Sequence, residues 1–321
     1  MKKFIIPLII VGATLLTAGA IVFAVGISNY KVNGNMQTNT YDLDQSFNKF
    51  NFDLDVADVE FRVSDNDKSQ VICEEKEKQS HEVKVSNDTL YITASDQREW
   101  YEKAFDFNYK PQKVTVYMPA KEYDAFLLKS STGNLKMPND FSFASGDIKE
   151  STGNIDWKAN VNGLIKVETS TGGIALNGIK ADKAEIKAST GNVLLEKLEV
   201  SQKIDVKTST GNIAIKETTA RDLETKCSTG HVALVDTVIT ESIKNKTGTG
   251  DVGYKDSDAK NIDIETDTGD VVLELLTKKM VYYQTDTGKV RIPKLDASEL
   301  ADVVGVCNIT TDTGDITVSF K

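Results

Sequence analysis

The chain has 321 residues, of which 40% are hydrophobic, and it carries 38 basic and 48 acidic side chains for a formal net charge of −10. Because a phosphate-binding face needs a basic stripe, this composition argues against nucleic acid or anionic lipid as a partner of the general surface. Three scattered cysteines exclude a disulfide scaffold, and two histidines exclude a histidine-rich metal site.

The N-terminus carries a long apolar segment. Lys2 and Lys3 precede the uncharged stretch 4–30, which is long enough to cross the roughly 30 Å hydrocarbon layer as a helix. By the positive-inside rule the rest of the chain lies outside. We expect a single-pass anchor at 1–28 in the cell membrane, with the C-terminal domain extracellular. A cleaved signal peptide with a small-residue site at 18–20 is the alternative.

Two further regions precede the regular part of the sequence. Residues 29–49 are rich in Asn, Thr and Gln, which predicts a flexible tether. Residues 50–128 contain short alternating apolar runs, which predict irregular N-terminal β coils that cap the domain. A separate small β domain is the alternative for this segment.

From residue 129 onward, a Thr-Gly pair recurs at gaps of 19 or 20 residues, with one last gap of 26. A fixed period in this range is typical of a solenoid, in which each unit stacks on its neighbours. The glycines are Gly133, Gly153, Gly172, Gly191, Gly211, Gly230, Gly250, Gly269, Gly288 and Gly314.

Apolar residues stand at fixed offsets from every Thr-Gly pair. The position two after the glycine is always aliphatic, as at Ile174, Val193 and Ile213, and the alternation of period two predicts strands with one buried face. Stacked parallel strands explain the constant period, whereas antiparallel hairpins do not require it. We therefore predict an all-β chain that forms a parallel β-solenoid, with coils of 19–20 residues over 129–321 and Thr-Gly as a corner.

Three irregularities stand out in this pattern. Residues 294–302 in the long last gap predict a loop or a single helical turn expelled from the coil. Thr225 and Asn245 place polar side chains in an otherwise apolar column, which predicts the softest part of the domain. The match to GxGxxG at 248–253 has no helical pattern after it, so we interpret it as a repeat corner with an extra glycine.

The other candidate reactive groups fit structural roles. His231 occupies the Asn position of its corner and is interpreted as an exposed substitute there. Cys227 and Cys307 fall in core columns and are interpreted as buried thiols.

Acidic residues gather at the later corners, and like charges stacked about 5 Å apart would be relieved by a divalent cation. This predicts a calcium-type cation ridge, with ordinary solvated turn acids as the alternative. The predicted ligands are Asp267, Asp270, Asp286, Asp312 and Asp315.

No sequence motif for catalysis occurs, and the acids are spread evenly as repeat positions. The prediction is therefore a non-catalytic protein that binds or scaffolds at the cell envelope, with a cell-wall polymer or another membrane protein as partner. Two alternatives stay open. One is a carbohydrate-active β-helix enzyme that uses the acidic ridge. The other is an accessory regulator of a membrane sensor.

Three motifs resemble a known family: the segments 52–56 and 114–119, and the repeated Ser-Thr-Gly-Asn-Ile. They resemble the bacterial family of "putative adhesins" with β-strand repeats, a domain of unknown function, over residues 50–321. With its N-terminal segment the whole chain resembles the LiaG-type envelope proteins of Gram-positive bacteria. The resemblance implies an extracytoplasmic β-solenoid with a link to envelope stress responses, and it carries over no active site.

Overall fold

The computed structural model describes residues 36–99 and 111–321, and these ranges contain 26 strands and one short 3-10 helix, Glu299–Asp302. The predicted anchor at 1–28 lies outside the described residues. Within the two described ranges, no helix has the length and apolarity needed to cross a bilayer.

The repeats form coils, each built from one long and one short strand. The long strands are β7 Glu122–Thr132, β9 Ser142–Thr152, β11 Asn160–Thr171, β13 Lys180–Thr190, β15 Glu199–Thr210, β17 Thr219–Thr229, β19 Val238–Thr249, β21 Asp258–Thr268, β23 Met280–Thr287 and β25 Val306–Thr313. The short strands are β8 Leu135–Met137, β10 Ile155–Trp157, β12 Ile174–Asn177, β14 Val193–Glu196, β16 Ile213–Lys216, β18 Val232–Val235, β20 Val252–Lys255, β22 Val271–Leu275, β24 Val290–Arg291 and β26 Ile316–Phe320.

Like strands of neighbouring coils pair in parallel and in register. Ile174 lies beside Val193, and Val193 lies beside Ile213, so equivalent apolar side chains form files through the core. Coils of 19 and 20 residues differ by one residue, and the extra residue lies within the long strand. There the register shifts at a bulge, as between Val200 and Lys203 of β15. The parallel stacking predicted from the period is confirmed.

The Thr-Gly pairs form corners, as predicted, and the glycine is required by close stacking. Gly191 has a φ of +152°, and a Cβ there would lie 1.9 Å from the carbonyl oxygen of Gly172 on the preceding coil. A second corner follows the short strands, where Lys197, Glu217 and Asp236 adopt left-handed φ values of 57°, 47° and 49°. The sequence does not reveal this corner, because these residue types are ordinary on any exposed turn.

The N-terminal part caps the rod with a mixed arrangement of six strands. The long strand β2 pairs in parallel with β5 and β6 on one side and with β7 on the other. Strands β1 and β3 extend this layer in antiparallel fashion from β6, and β4 pairs antiparallel with β5. Their bounds are β1 Met36–Leu43, β2 Lys49–Val63, β3 Ser69–Lys76, β4 Gln79–Ser86, β5 Thr89–Asp96 and β6 Gln112–Met118.

Two predicted boundaries need correction. The predicted tether 29–49 contains strand β1, whose eight residues pair with β3, because its polar side chains alternate with Tyr41 and Leu43 that pack on the core. The part at 29–35 lies outside the described residues. The predicted boundary at 128/129 falls inside β7, which already pairs with β9 as a regular coil.

Aromatic side chains dominate the core at the capped end, and mainly aliphatic ones fill the rest. Phe50 contacts six other rings at centroid distances of 5.1 to 6.1 Å, among them Phe126 and Phe143, and Trp157 continues this cluster into the second coil. The wide aromatic layer closes the end of the rod.

At the other end, the coils do not stack in chain order. The last strands β25 and β26 insert between the coil of β21–β22 and the coil of β23–β24. Gly269 N–H donates to Thr313 O, and Gly314 N–H donates to Thr287 O, each at 2.9 Å. This corrects the expectation that each coil lies on its sequence neighbour. The predicted helical turn is present as the 3-10 helix in the connection that makes the detour possible.

A buried polar network holds this detour. Lys279 is 2% exposed, and its Nζ lies 2.9 Å from Asp258 Oδ1 and donates to Thr277 Oγ1 and Val304 O, each at 2.7 Å. Asp258 Oδ2 accepts hydrogen bonds from the Thr277 N–H and hydroxyl, both at 2.7 Å. The network therefore joins β21 to the two chain segments that lead into and out of the displaced coil.

Candidate functional site

The residue after each corner glycine forms a ladder along the rod. Except at Gly173 and Lys289, its side chain accepts a hydrogen bond from the backbone N–H of the equivalent residue in the next coil. Asn154 N–H donates to Asn134 Oδ1 at 3.0 Å, and Asp270 N–H donates to Asp251 Oδ1 at 2.9 Å. Asn, Asp and His serve equally, because the position needs only an acceptor.

This ladder gives His231 and two of the predicted cation ligands a structural role. His231 Nδ1 accepts from Asp251 N–H at 3.0 Å. Asp270 Oδ1 accepts from Asp315 N–H at 2.8 Å, and Asp315 Oδ1 accepts from Lys289 N–H at 2.7 Å. The choice of Asp or Asn here is explained by backbone satisfaction without any cation.

The other predicted ligands lie on the exposed side of the same corners. Asp267, Asp312 and Asp286 occupy three adjacent coils in that spatial order, since Thr268 pairs with Thr313 and Thr313 with Thr287. Across the described residues, these carboxylates do not form a group of three with oxygen atoms within 4.8 Å of one another. The calcium ridge stays a prediction.

The remaining motifs fall where the pattern places them. The GxGxxG match is a corner followed directly by strand β20, not by a helix. Cys227 and Cys307 are buried, and the Cys227 thiol lies 3.3 Å from the Gly211 carbonyl oxygen. Inward hydroxyls of the same column also reach the glycine carbonyl of the neighbouring coil, as Thr266 reaches Gly250 at 3.4 Å.

Thr225 and Asn245 lie beside each other on adjacent strands, inside the file that Val206 and Ile264 continue on either side. The Thr225 hydroxyl is buried without a hydrogen-bond partner, and Asn245 Oδ1 accepts from Thr247 Oγ1 at 3.1 Å. An unmet buried hydroxyl costs roughly 1 to 3 kcal/mol.

We therefore expect Thr225→Val to raise the free energy of unfolding by about 1 kcal/mol, and wild-type amides at 225–250 to exchange faster than those of the flanking coils. Hydrogen exchange and urea unfolding measure both effects. Thr208→Val is the control, since that hydroxyl reaches the Gly191 carbonyl at 3.5 Å and its loss should not stabilise the protein. Slowest exchange at 225–250 would contradict the expectation.

Glu150 is an acidic side chain at an inward position of its coil. Glu150 is 5% exposed and stands where neighbouring coils place Ser130 and Thr169, and neither of its carboxylate oxygens has a hydrogen-bond partner. Burial, and then the nearby Asp58, raise the pKa of Glu150 to about 8. Sequence reasoning missed it, because a glutamate in an alternating strand is usually assigned to the exposed face.

A second feature missed by the sequence is a row of exposed lysines on the long strands. Lys187, Lys207, Lys226 and Lys246 lie directly beside one another on four successive coils. With the serines next to them they line a shallow groove of about 510 Å³. The signal was available, since each lysine stands four residues before a corner glycine, but the overall acidity of the chain concealed it. We call these four residues the lysine row.

The third feature is a buried cluster in the cap. Cys73 and Glu75 lie on β3 and His81 on β4, and one donor atom of each side chain lies within 4.8 Å of the other two. Burial and the neighbouring Glu75 raise the pKa of the Cys73 thiol to about 12. The three residues span nine positions of sequence outside the repeats, so the period does not reveal them.

The chain is similar to solved structures of low sequence identity. A "putative lipid binding protein" from Parabacteroides distasonis is 18% identical, with 74% of this chain and 97% of that chain covered and a TM-score of 0.50. A "putative adhesin" from the same species is 16% identical, with 76% and 98% covered and a TM-score of 0.49. For a "putative adhesin" from Bacteroides fragilis the values are 16%, 74%, 98% and 0.48.

The likeness with a TM-score of 0.50 concerns the fold alone. No curated protein matches the chain. The family model described as Toastrack DUF4097 matches residues 47–319, which include strands β2 to β6 of the cap and the ten coils of the described chain. The resemblance to a β-repeat domain of unknown function is confirmed, and the chain belongs to the Toastrack DUF4097 family.

Proposed function

We propose that this chain is a membrane-anchored, extracytoplasmic protein without catalytic activity, which uses its rod to bind an anionic polymer of the cell envelope. The anchor rests on the uncharged stretch at 4–30 and the two lysines before it. The lysine row carries the proposal, because it offers one cation per coil along a straight axis. A linear polyanion presents its charges in the same repeating way.

The lysines of the lysine row can exchange their carboxylate partners within the protein for anionic groups of a ligand. Lys207 pairs with Asp205 at 3.0 Å, and Lys226 pairs with Glu224 at 3.0 Å. Such exposed pairs contribute about 0 to 1 kcal/mol, so a ligand phosphate or carboxylate competes with them at little cost. The serines beside the row supply hydroxyl donors, while Asp267 also lines the groove and Lys246 pairs with Glu265. The net negative charge of the chain disfavours adsorption of a polyanion on other faces.

Cosedimentation with purified cell walls tests this proposal. The full-length chain in detergent should bind intact walls at 50 mM salt, and it should lose binding at 300 mM salt or after removal of anionic polymers from the walls. Replacing the four residues of the lysine row by Gln should weaken binding about tenfold. This loss of about 1.4 kcal/mol agrees with four exposed charge contacts.

The matched control replaces four exposed lysines elsewhere that also form ion pairs, namely Lys84, Lys158, Lys180 and Lys260. It should bind walls like the wild type. If the wild-type protein does not cosediment with cell walls, the proposed function is refuted. If both quadruple variants bind like the wild type, the lysine row is not the contact.

A further inference from the structure

The cap contains a compact set of metal-binding side chains. The inward face of β3 alternates through Val71, Cys73 and Glu75, and a tight turn returns the chain along β4 to His81. Lys76 pairs with Gln79 across this turn, so the hairpin brings the histidine back to the two β3 residues. All three side chains are buried.

Their hydrogen bonds leave the cluster incomplete. Glu75 Oε2 accepts from the His81 backbone N–H and from the His81 ring Nδ1, each at 2.7 Å, and Glu75 Oε1 accepts from Asn39 Nδ2 at 2.5 Å. His81 Nε2 is buried without a hydrogen-bond partner. His81 is only 3% exposed, so its Nε2 has no hydrogen bond to bulk water. Nδ1 is the ring nitrogen that faces Glu75, so a metal ion shared with Glu75 would take the place of the proton between Nδ1 and Oε2, and Nε2 lies on the other side of the ring.

We propose that Cys73, Glu75 and His81 bind one Zn²⁺ ion. Thiolate, imidazole and carboxylate are the ligands zinc uses in proteins, and a sulfur ligand disfavours calcium or magnesium. The charges balance, because a thiolate and a carboxylate together neutralise a divalent cation in a site where net charge is costly. Three protein donors leave the fourth tetrahedral position to water. The ion would link strand β3 to strand β4 and so stabilise the cap.

Cobalt binding tests this site, because a thiolate bound to Co²⁺ gives a near-ultraviolet charge-transfer band. The full-length protein is stripped with EDTA and titrated with Co²⁺ and then with Zn²⁺. We expect one equivalent of Co²⁺, a band that Zn²⁺ abolishes, and a higher Tm in the presence of Zn²⁺. Cys73→Ser should remove the band. His81→Gln should weaken zinc binding at least tenfold.

The two other buried cysteines serve as controls. Cys227→Ser and Cys307→Ser should keep the band, since neither cysteine belongs to a three-residue metal-binding group in the described part of the chain. The zinc content of the wild-type protein tests the proposal even if a variant folds poorly. Less than about 0.1 equivalent of Zn²⁺ after equilibration, or a band that persists in Cys73→Ser, would overturn the proposal.

Discussion

Lys279→Met should lower the free energy of unfolding by about 3 to 5 kcal/mol, because it leaves Asp258 as an uncompensated charge in a buried site. Asp258 would keep its bonds to Thr277 but lose the ammonium 2.9 Å away. The Val304 carbonyl would lose its donor as well. Lys279 links β21 to the chain on both sides of the coil of β23–β24. Unfolding of the variant should therefore begin at that coil.

Urea unfolding gives the total effect, and limited proteolysis within 276–305 reports the local opening. Lys278→Ala is the matched control, because that neighbour forms only surface pairs, with Glu299 at 3.0 Å and Asp302 at 3.8 Å, and its loss should cost about 1 kcal/mol or less. Adding Asp258→Asn to Lys279→Met should recover part of the loss, because the buried charge is then gone. Equal effects of the variants at 278 and 279 would contradict the role assigned to the network.

Glu150→Thr should stabilise the protein, and the gain should depend on pH. The folded pKa of Glu150 is about 8, against an ordinary value of 4.5, so the carboxyl group stays protonated in the folded state while the unfolded chain ionises. Wild-type stability is therefore unaffected by this group below about pH 4.5 and falls as the pH rises toward 8. Each pKa unit corresponds to about 1.4 kcal/mol, which sets an upper bound of roughly 4 to 5 kcal/mol on the loss.

Unfolding of wild type and variant at pH 4.5 and pH 8 measures this difference. The variant should gain roughly 2 to 4 kcal/mol more at pH 8 than at pH 4.5, and Glu150→Gln should show the same pH dependence with the shape retained. Glu168→Thr, on the next coil but on the outward face beside Lys166, is the control and should show little change. A gain from Glu150→Thr that is the same at both pH values would refute the buried-acid explanation.

Glu150 and the lysine row show which side-chain positions follow from the repeat and which consequences of them do not. Inward and outward positions follow from the alternation, so Lys187 and its equivalents are outward by the same count that places Glu150 inward. The count was correct at both places. The overall composition indicates an acidic surface and glutamate is rarely buried, so neither the lysine row nor the buried Glu150 is the ordinary expectation for this sequence. Only the register of the strands turns lysines 19 or 20 residues apart into one continuous row.

The coil and its core could be determined from the sequence alone. In a parallel stack each position meets its own equivalent in the next coil, so the same demand for an aliphatic side chain or a corner glycine recurs at every period. Ile174, Val193 and Ile213 carry that demand in the sequence itself. The Asn and Asp ladder also leaves its mark, but its acceptor role becomes clear only when the backbone N–H of the next coil is placed against it.

The tertiary structure alone decided the order of the last coils and the two buried polar clusters. Any coil fits equally well on its neighbour as far as the repeat is concerned, so the period carries no information about which coil is inserted where. Asp258 and Lys279 stand in the sequence as ordinary charged residues, and only the insertion of the last coil shows that they are buried together as an ion pair. Cys73, Glu75 and His81 likewise share no period with the coils, and the turn between β3 and β4 is what brings them together.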